Sequence, residues 1–237
     1  MSSSTIGNFK QVSPKKVSDF ILEQIEEAII LKEILPDEQL PPERELATMF
    51  NASRLAVREA IAELEARDLI EKRLGAKGGT FVLPLTAKIH QRTREQLKQN
   101  WADMKEILEY RSIMEPEAAR LAASRISDEG LERVRELVEK SGGDCPREMF
   151  RALDVKFHLQ IANASENAYI EGAVRRIRTK INPGLDLMPY NRDIQLASYE
   201  LHREMYDALC KRDGDRAGLL MKQHVGKTLQ ALSQFID

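Results

Sequence analysis

Apolar and polar positions alternate along this chain with the period of helices almost throughout. From Lys15 to Lys32 the apolar residues Val17, Ile21, Ile25, Ala28 and Ile29 fall one or two turns apart, which predicts an amphipathic helix that stops before Pro36. Pro42 suits a first helical position and Glu43 and Glu45 its positive end, so a short helix follows, with Leu46, Ala47 and Phe50 inward, ending at Asn51. Ser53 then reads as the N-cap of a third helix, Arg54 to Arg67, whose Val57, Ala60, Ile61 and Leu64 make its apolar stripe. Beyond it the period changes. Ile70–Leu74 and Thr80–Leu83 read as short strands joined by a glycine-rich turn, Gly75 to Gly79, which predicts a hairpin.

After about Thr86 the helical period resumes and no convincing strand interrupts it. Caps and breakers place helices over Thr86–Asn100, Asp103–Ser124, Ser127–Lys140, Pro146–Ala164, Asn167–Asn182, Arg192–Arg212 and Asp213–Ile236. Gly142–Gly143 and Pro183–Gly184 are read as breaks, and Asp213–Gly214 as a tight turn between helices. The expected fold is mainly α. An N-terminal winged helix-turn-helix of three helices and a hairpin wing covers 10–84, after a disordered tail over 1–9. A linker helix over 85–102 leads to an all-α bundle of six to seven helices over 103–237.

Composition narrows the function classes. A chain of 237 residues with 42% hydrophobic and 31% charged residues, and no repeat or biased block, has the make-up of a soluble two-domain protein. Its apolar runs are far shorter than the roughly 20 residues of a bilayer span, and its first ten residues lack a signal-peptide core, so a cytoplasmic protein with no membrane partner is expected. Two cysteines without CxxC spacing point to reduced thiols. Net charge is only −2, so no basic domain announces a nucleic-acid partner, and the distribution of charge carries that argument instead. Acidic residues crowd the first helix, whereas Arg44, Arg54, Arg58, Lys72, Arg73 and Lys77 fall on the elements that would face DNA.

Two constellations carry chemistry. A recognition helix needs donors near its N-terminus, and Arg54 and Arg58, one turn apart behind Ser53, offer guanidinium forks to guanine edges or phosphates. Arg44 reaches toward the flanking backbone, and a wing carrying Lys77, Gly78 and Gly79 borders the minor groove. In the second half, Asp154 precedes His158 by one turn, and His202 and His224 lie on two other helices. Three imidazoles and one carboxylate suit Zn²⁺, Ni²⁺ or another divalent transition metal such as Mn²⁺. Taken singly, each histidine would more often be a polar core or surface residue.

The stretch Leu40-Pro-Pro-Glu-Arg-Glu-Leu-Ala47, with Ser53-Arg54, Val57-Arg58-Glu59-Ala60, Leu64-Glu65-Ala66 and Gly79-Thr80-Phe81-Val82, resembles the DNA-binding domain of the GntR family. The resemblance implies that Arg44, Arg54 and Arg58 contact double-stranded operator DNA. Leu55-Ala56 departs from the small polar pair more usual after the first recognition arginine. The second half resembles the FCD effector-binding domain of the FadR subfamily, which implies a metal held by Asp154, His158, His202 and His224, Zn²⁺ being the first choice. It also implies a small organic acid as effector, and disfavours a long acyl chain. Arg111 resembles the family arginine that helps hold the carboxylate, its plainer role being a pair with Glu115 at i+4. Arg178, Arg175 and Asn163 are further candidates for the effector cavity.

The reading that joins both halves is a homodimeric transcription repressor, not an enzyme, whose operator affinity responds to a small carboxylate bound at the metal. Two other readings stay beside it. One is a metal-dependent enzyme fused to a DNA-binding module, since an open metal position activates water. The other is an architectural DNA-binding dimer without effector.

Overall fold

The computed structural model describes residues 14–75, 78–84, 86–189 and 191–236. The expected tail over 1–9 and the wing residue Lys77 lie outside the described residues. These form ten helices and one two-stranded hairpin: α1 (Val17–Ile30), α2 (Glu43–Met49), α3 (Arg54–Ala66), β1 (Ile70–Arg73), β2 (Gly79–Val82), α4 (Ala87–Gln99), α5 (Trp101–Arg125), α6 (Asp128–Ser141), α7 (Arg147–Ala164), α8 (Ala168–Leu185), α9 (Arg192–Cys210) and α10 (Gly214–Ile236). They fall into two compact units. One takes the chain up to Glu26 and Gln39–Phe81, and the other takes Glu27–Glu38 and everything from Val82.

In the first unit the helical stripes become the core: Ile21 and Ile25 of α1, Leu46 of α2 and Val57, Ile61 and Leu64 of α3 are buried. Each such side chain contributes roughly 1.5–3 kcal/mol. Val17, the opening residue of α1, is exposed instead. Ser53 caps α3 as its sequence position predicts, its hydroxyl accepting from the Ala56 amide at 3.1 Å, worth about 1 kcal/mol. The turn between α2 and α3 is made possible by Asn51 at φ 48°, a left-handed conformation that asparagine tolerates better than most residues. In the hairpin, β1 pairs with β2, and the Leu40 amide donates to Thr80 O at 2.8 Å, so the segment before α2 adds a third edge that periodicity did not reveal.

In the second unit α5 and α10 pack along each other at the centre, with α7, α8 and α9 around them and α6 against α7 and α9. Small residues allow this closeness. Ala118, Ala119, Ala122 and Ala123 line the inward face of α5, and a Cβ on Gly214 would sit 2.8 Å from the Arg120 carbonyl oxygen. The expected break at Pro183–Gly184 does not occur, and α8 runs on to Leu185 with Pro183 inside it. Pro183 has no N–H to give to the carbonyl of Thr179, yet the helix is carried past it, the Asp186 amide donating to Asn182 O at 2.8 Å. Gly142–Gly143 does end α6, with Gly143 at φ 65°.

Candidate metal centre and its cavity

Three helices of the second unit bring four donors to one buried point. Asp154 and His158 come from α7, one turn apart, His202 from α9 and His224 from α10. All four are at most 5% exposed. The Nε2 atoms of His158 and His224 lie 3.1 Å apart and those of His202 and His224 3.4 Å apart, and each of the three Nε2 atoms is 3.7 Å from Asp154 Oδ1. A divalent ion with ligand bonds of about 2.0–2.2 Å sets its donors roughly 3.0–3.6 Å apart, so the donor set fits a metal ion.

Electrostatics favour the same arrangement. Burial, followed by the neighbouring His224 ring, holds His202 well below the usual imidazole range, and burial lowers His224 to about 4, so both rings are neutral at neutral pH. Burial alone would raise Asp154, but the Arg178 guanidinium, whose Nη2 donates to Oδ2 at 2.7 Å, holds it well below the usual carboxylate range. The result is one carboxylate and two neutral imidazoles with a third beside them, the protonation states that metal ligation requires.

The orientation of His158 is fixed from behind. Its Nδ1 lies 2.6 Å from Glu115 Oε2, and the other oxygen of Glu115 accepts from Arg111 Nε at 2.9 Å. A proton on Nδ1 facing that carboxylate would leave the Nε2 lone pair to the donor cluster, the arrangement that orients metal-bound histidines. Burial opposes the charge on Glu115, yet Arg111 and then His158 lower its pKa below the ordinary carboxylate range.

Beside the donors a cavity of about 200 Å³ opens, with Arg111, Arg147, Arg151, Asp154 and His224 in its wall. Arg111 Nη1 and Arg151 Nη2 are buried without a hydrogen-bond partner. Arg151 also joins two carboxylates, Asp154 at 3.2 Å and Asp186 at 3.1 Å, and Asp186 is paired in turn with Lys32 at 2.7 Å. This buried chain of charge holds four cations, Lys32, Arg111, Arg151 and Arg178, against three carboxylates, Glu115, Asp154 and Asp186. A divalent cation adds to that excess, and an anion in the cavity offsets it.

The remaining candidates are placed as follows. Arg111 is paired to Glu115 and also lies in the cavity wall. Arg178 is fully buried on Asp154 and supports the donor cluster instead of lining the cavity. Asn163 is exposed, with Nδ2 3.5 Å from Glu171, because five residues after His158 the helix has turned its side chain away. Arg175 pairs with Glu27 at 2.9 Å and Glu33 at 2.8 Å. Glu115 as the support of His158, and Arg147 and Arg151 in the wall, were missed. For Arg151 the signal was present, since it precedes Asp154 by three residues on one helix face. In the first unit, Arg44, Arg54 and Arg58 are exposed, Arg58 within 3.5 Å of Glu43, and Gly79 is packed so closely on Gln39 that a Cβ would meet Nε2 at 2.1 Å.

Comparison with known families decides the lineage. The family of bacterial regulatory proteins, gntR, matches residues 17–82, and the FCD domain matches residues 106–227. The chain belongs to the GntR family. This GntR regulator with an FCD domain is 31% identical to the Uxu operon transcriptional regulator of Escherichia coli (strain K12), over 89% of its own length and 84% of that protein's. It is 29% identical to the HTH-type transcriptional regulator LutR of Bacillus subtilis (strain 168), over 86% and 96% respectively. It is also 27% identical to the HTH-type transcriptional repressor NanR of Cronobacter sakazakii (strain ATCC BAA-894), over 95% and 90%. Among solved structures, E. coli McbR/YncC shares the fold with a TM-score of 0.57 at 17% identity, covering 94% of this chain and all of that one. The GntR regulator is a transcriptional regulator and not an enzyme, and among its described residues no helix is long and apolar enough to cross a membrane.

Proposed function

We propose that this GntR regulator is a cytoplasmic, homodimeric repressor whose affinity for double-stranded operator DNA is set by a small organic acid bound beside a divalent transition metal. The observation that carries the reading is the junction of two features in one buried place: a donor set of one carboxylate and three imidazole nitrogens, and a cavity lined by Arg111 and Arg151, each of which also has a buried guanidinium nitrogen without a hydrogen-bond partner. Asp154, His158, His202 and His224 would hold the metal, Zn²⁺ being the first choice and Ni²⁺ or Mn²⁺ the alternatives. When bound, the metal supplies Lewis-acid attraction for a carboxylate oxygen. Arg111 and Arg151, in the cavity wall, would pair with the carboxylate, while Arg178 and Glu115 would keep Asp154 and His158 in place.

On the DNA side, Arg54 and Arg58 would reach bases or phosphates from the start of α3, Ser53 would fix the start of that helix, and Arg44 and the wing from Lys77 to Gly79 would hold the flanking backbone. In a dimer the two recognition helices lie about one DNA turn apart, and an effector acts by preferring one arrangement of the pair. Repression as the direction of control is supported by the relative named as a repressor. The test is elemental analysis of purified protein and of a His202→Ala, His224→Ala double variant, with retardation of operator-length DNA across a panel of organic acids. Close to one metal ion per subunit, lost in the double variant together with the acid response, is the expected result. Metal-free wild type with unaltered DNA binding would sink the proposal.

A further inference from the structure

The wall of the cavity is of two kinds. Around the donor cluster it is charged, with Arg111, Arg147 and Arg151 beside Asp154 and His224. Elsewhere it is largely hydrocarbon, contributed by Phe150, Leu185, Met188, Ile194, Leu201 and Ala231. Few polar groups interrupt that part. The Thr228 hydroxyl already donates to the His224 carbonyl at 3.2 Å, the exposed Lys227 is a cation, and Ser198 adds one hydroxyl. A ligand hydroxyl brought into contact with a hydrocarbon wall gives up its bonds to water without replacement, whereas an alkyl or aryl group there is drawn out of water. The volume, about 200 Å³, lies below the roughly 300–1,000 Å³ of sites for drug-sized ligands.

We infer that the effector is a compact monocarboxylate with a hydrocarbon body, in preference to a polyhydroxylated acid of the same carbon count. The inference rests on the carboxylate reading above and adds to it the class of acid. The charged part of the wall takes the carboxylate, where Arg111, Arg147 and Arg151 bring an excess of positive charge. The body is left to Met188, Ile194 and Leu201, which offer contact and no hydrogen bonds.

Isothermal titration calorimetry on metal-reconstituted full-length protein tests this with two acids that share a 2-hydroxycarboxylate head and a carbon count, 2-hydroxy-4-methylpentanoate and gluconate. The branched acid is expected to bind at least ~30-fold more tightly, equivalent to about 2 kcal/mol at roughly 1.4 kcal/mol per tenfold. Ile194→Gln, at a position 41% exposed and so tolerant of a polar side chain, is expected to narrow the gap to less than about tenfold. Ala231→Ser, which adds a hydroxyl to the wall at a second place, is expected to change it in the same sense. Gluconate binding as tightly as the branched acid, or more tightly, overturns the hydrocarbon-body inference and leaves the carboxylate reading intact. No heat from either acid at millimolar concentration removes the carboxylate reading, and this inference with it.

Discussion

Glu115→Gln separates the orientation of His158 from the mere presence of a side chain at its back. Glutamine keeps the volume and an oxygen that accepts from Arg111 Nε, but removes the charge that faces His158 Nδ1 at 2.6 Å and Arg111 at 2.9 Å. Loss of a carboxylate behind a metal-bound histidine weakens metal binding about 10–100-fold, or roughly 1.4–2.8 kcal/mol. With metal at about 100 times the wild-type Kd, binding stabilises the fold by about 2.7 kcal/mol. A variant that binds about 30-fold more weakly gains only about 0.9 kcal/mol from the same concentration, so nearly 2 kcal/mol of metal-dependent stabilisation disappears. The apoprotein is destabilised as well, by about 1–1.5 kcal/mol, the difference between a bond to a charged acceptor and one to a neutral amide. Competition against a fluorescent zinc chelator gives the affinity, and urea unfolding with and without metal gives both stability terms. A folded variant whose metal affinity stays within about threefold of wild type would refute the assignment of Glu115 as the group that orients His158.

Other expectations follow from the same structure. Arg54→Ala and Arg58→Ala each weaken binding to DNA selected from a random pool, and a variant that loses one phosphate contact lowers the slope of log affinity against log salt by about 0.9, read by fluorescence anisotropy; unchanged slope and affinity in both would remove α3 from the DNA interface. Lys32→Met leaves Asp186 with Arg151 as its salt-bridge partner and costs about 1.5–3 kcal/mol at neutral pH, the worth of one charged hydrogen bond. Burial opposes ionisation of Asp186, but Arg151 and Lys32 lower its pKa from 3.8, so its stabilising contribution is complete above that value and fades as pH falls through the lower, folded-state pKa. The gap between wild type and Lys32→Met in urea unfolding should therefore close under acid, and a gap independent of pH would contradict the pairing. Gly214→Ala places a Cβ 2.8 Å from the Arg120 carbonyl oxygen and should cost about 1–3 kcal/mol in a thermal melt, whereas an unshifted melt would contradict the close approach of α10 to α5.

Much of this architecture is legible in the sequence because periodicity and caps are local. Ser53, read as a cap, and Ser127 and Asn167, read as the first residues of their helices, each accept from a backbone amide at the helix start. The spacing of Asp154 and His158 is local too, so half of the donor set could be read from one helix. Pro183 misled because the one backbone bond it removes is outweighed by the packing of α8, with Ile177, Ile181 and Leu185 buried, and only tertiary packing says how far a helix goes on. The pairing of Lys32 with Asp186 joins residues from opposite parts of the chain, and no local pattern signals it. Glu115 was visible only as a partner for Arg111, since its second oxygen meets a histidine on another helix. Asn163 shows the reverse error, in which closeness along the chain stood in for closeness in space.

The buried chain from Glu115 through Arg111, and from Asp154 through Arg151 and Asp186 to Lys32, gives most of its members two obligations at once. Replacing any one of them strands a neighbour, so these positions are tied together and change, if at all, in compensating pairs. Met188, Ile194 and Ala231 carry no such obligation. On the proposed reading, a new ligand preference can be written into the hydrocarbon wall one residue at a time, while the charged frame is left as it is. For anyone who wishes to turn this regulator into a sensor for another acid, the molecule has already divided itself into a part to edit and a part to leave alone.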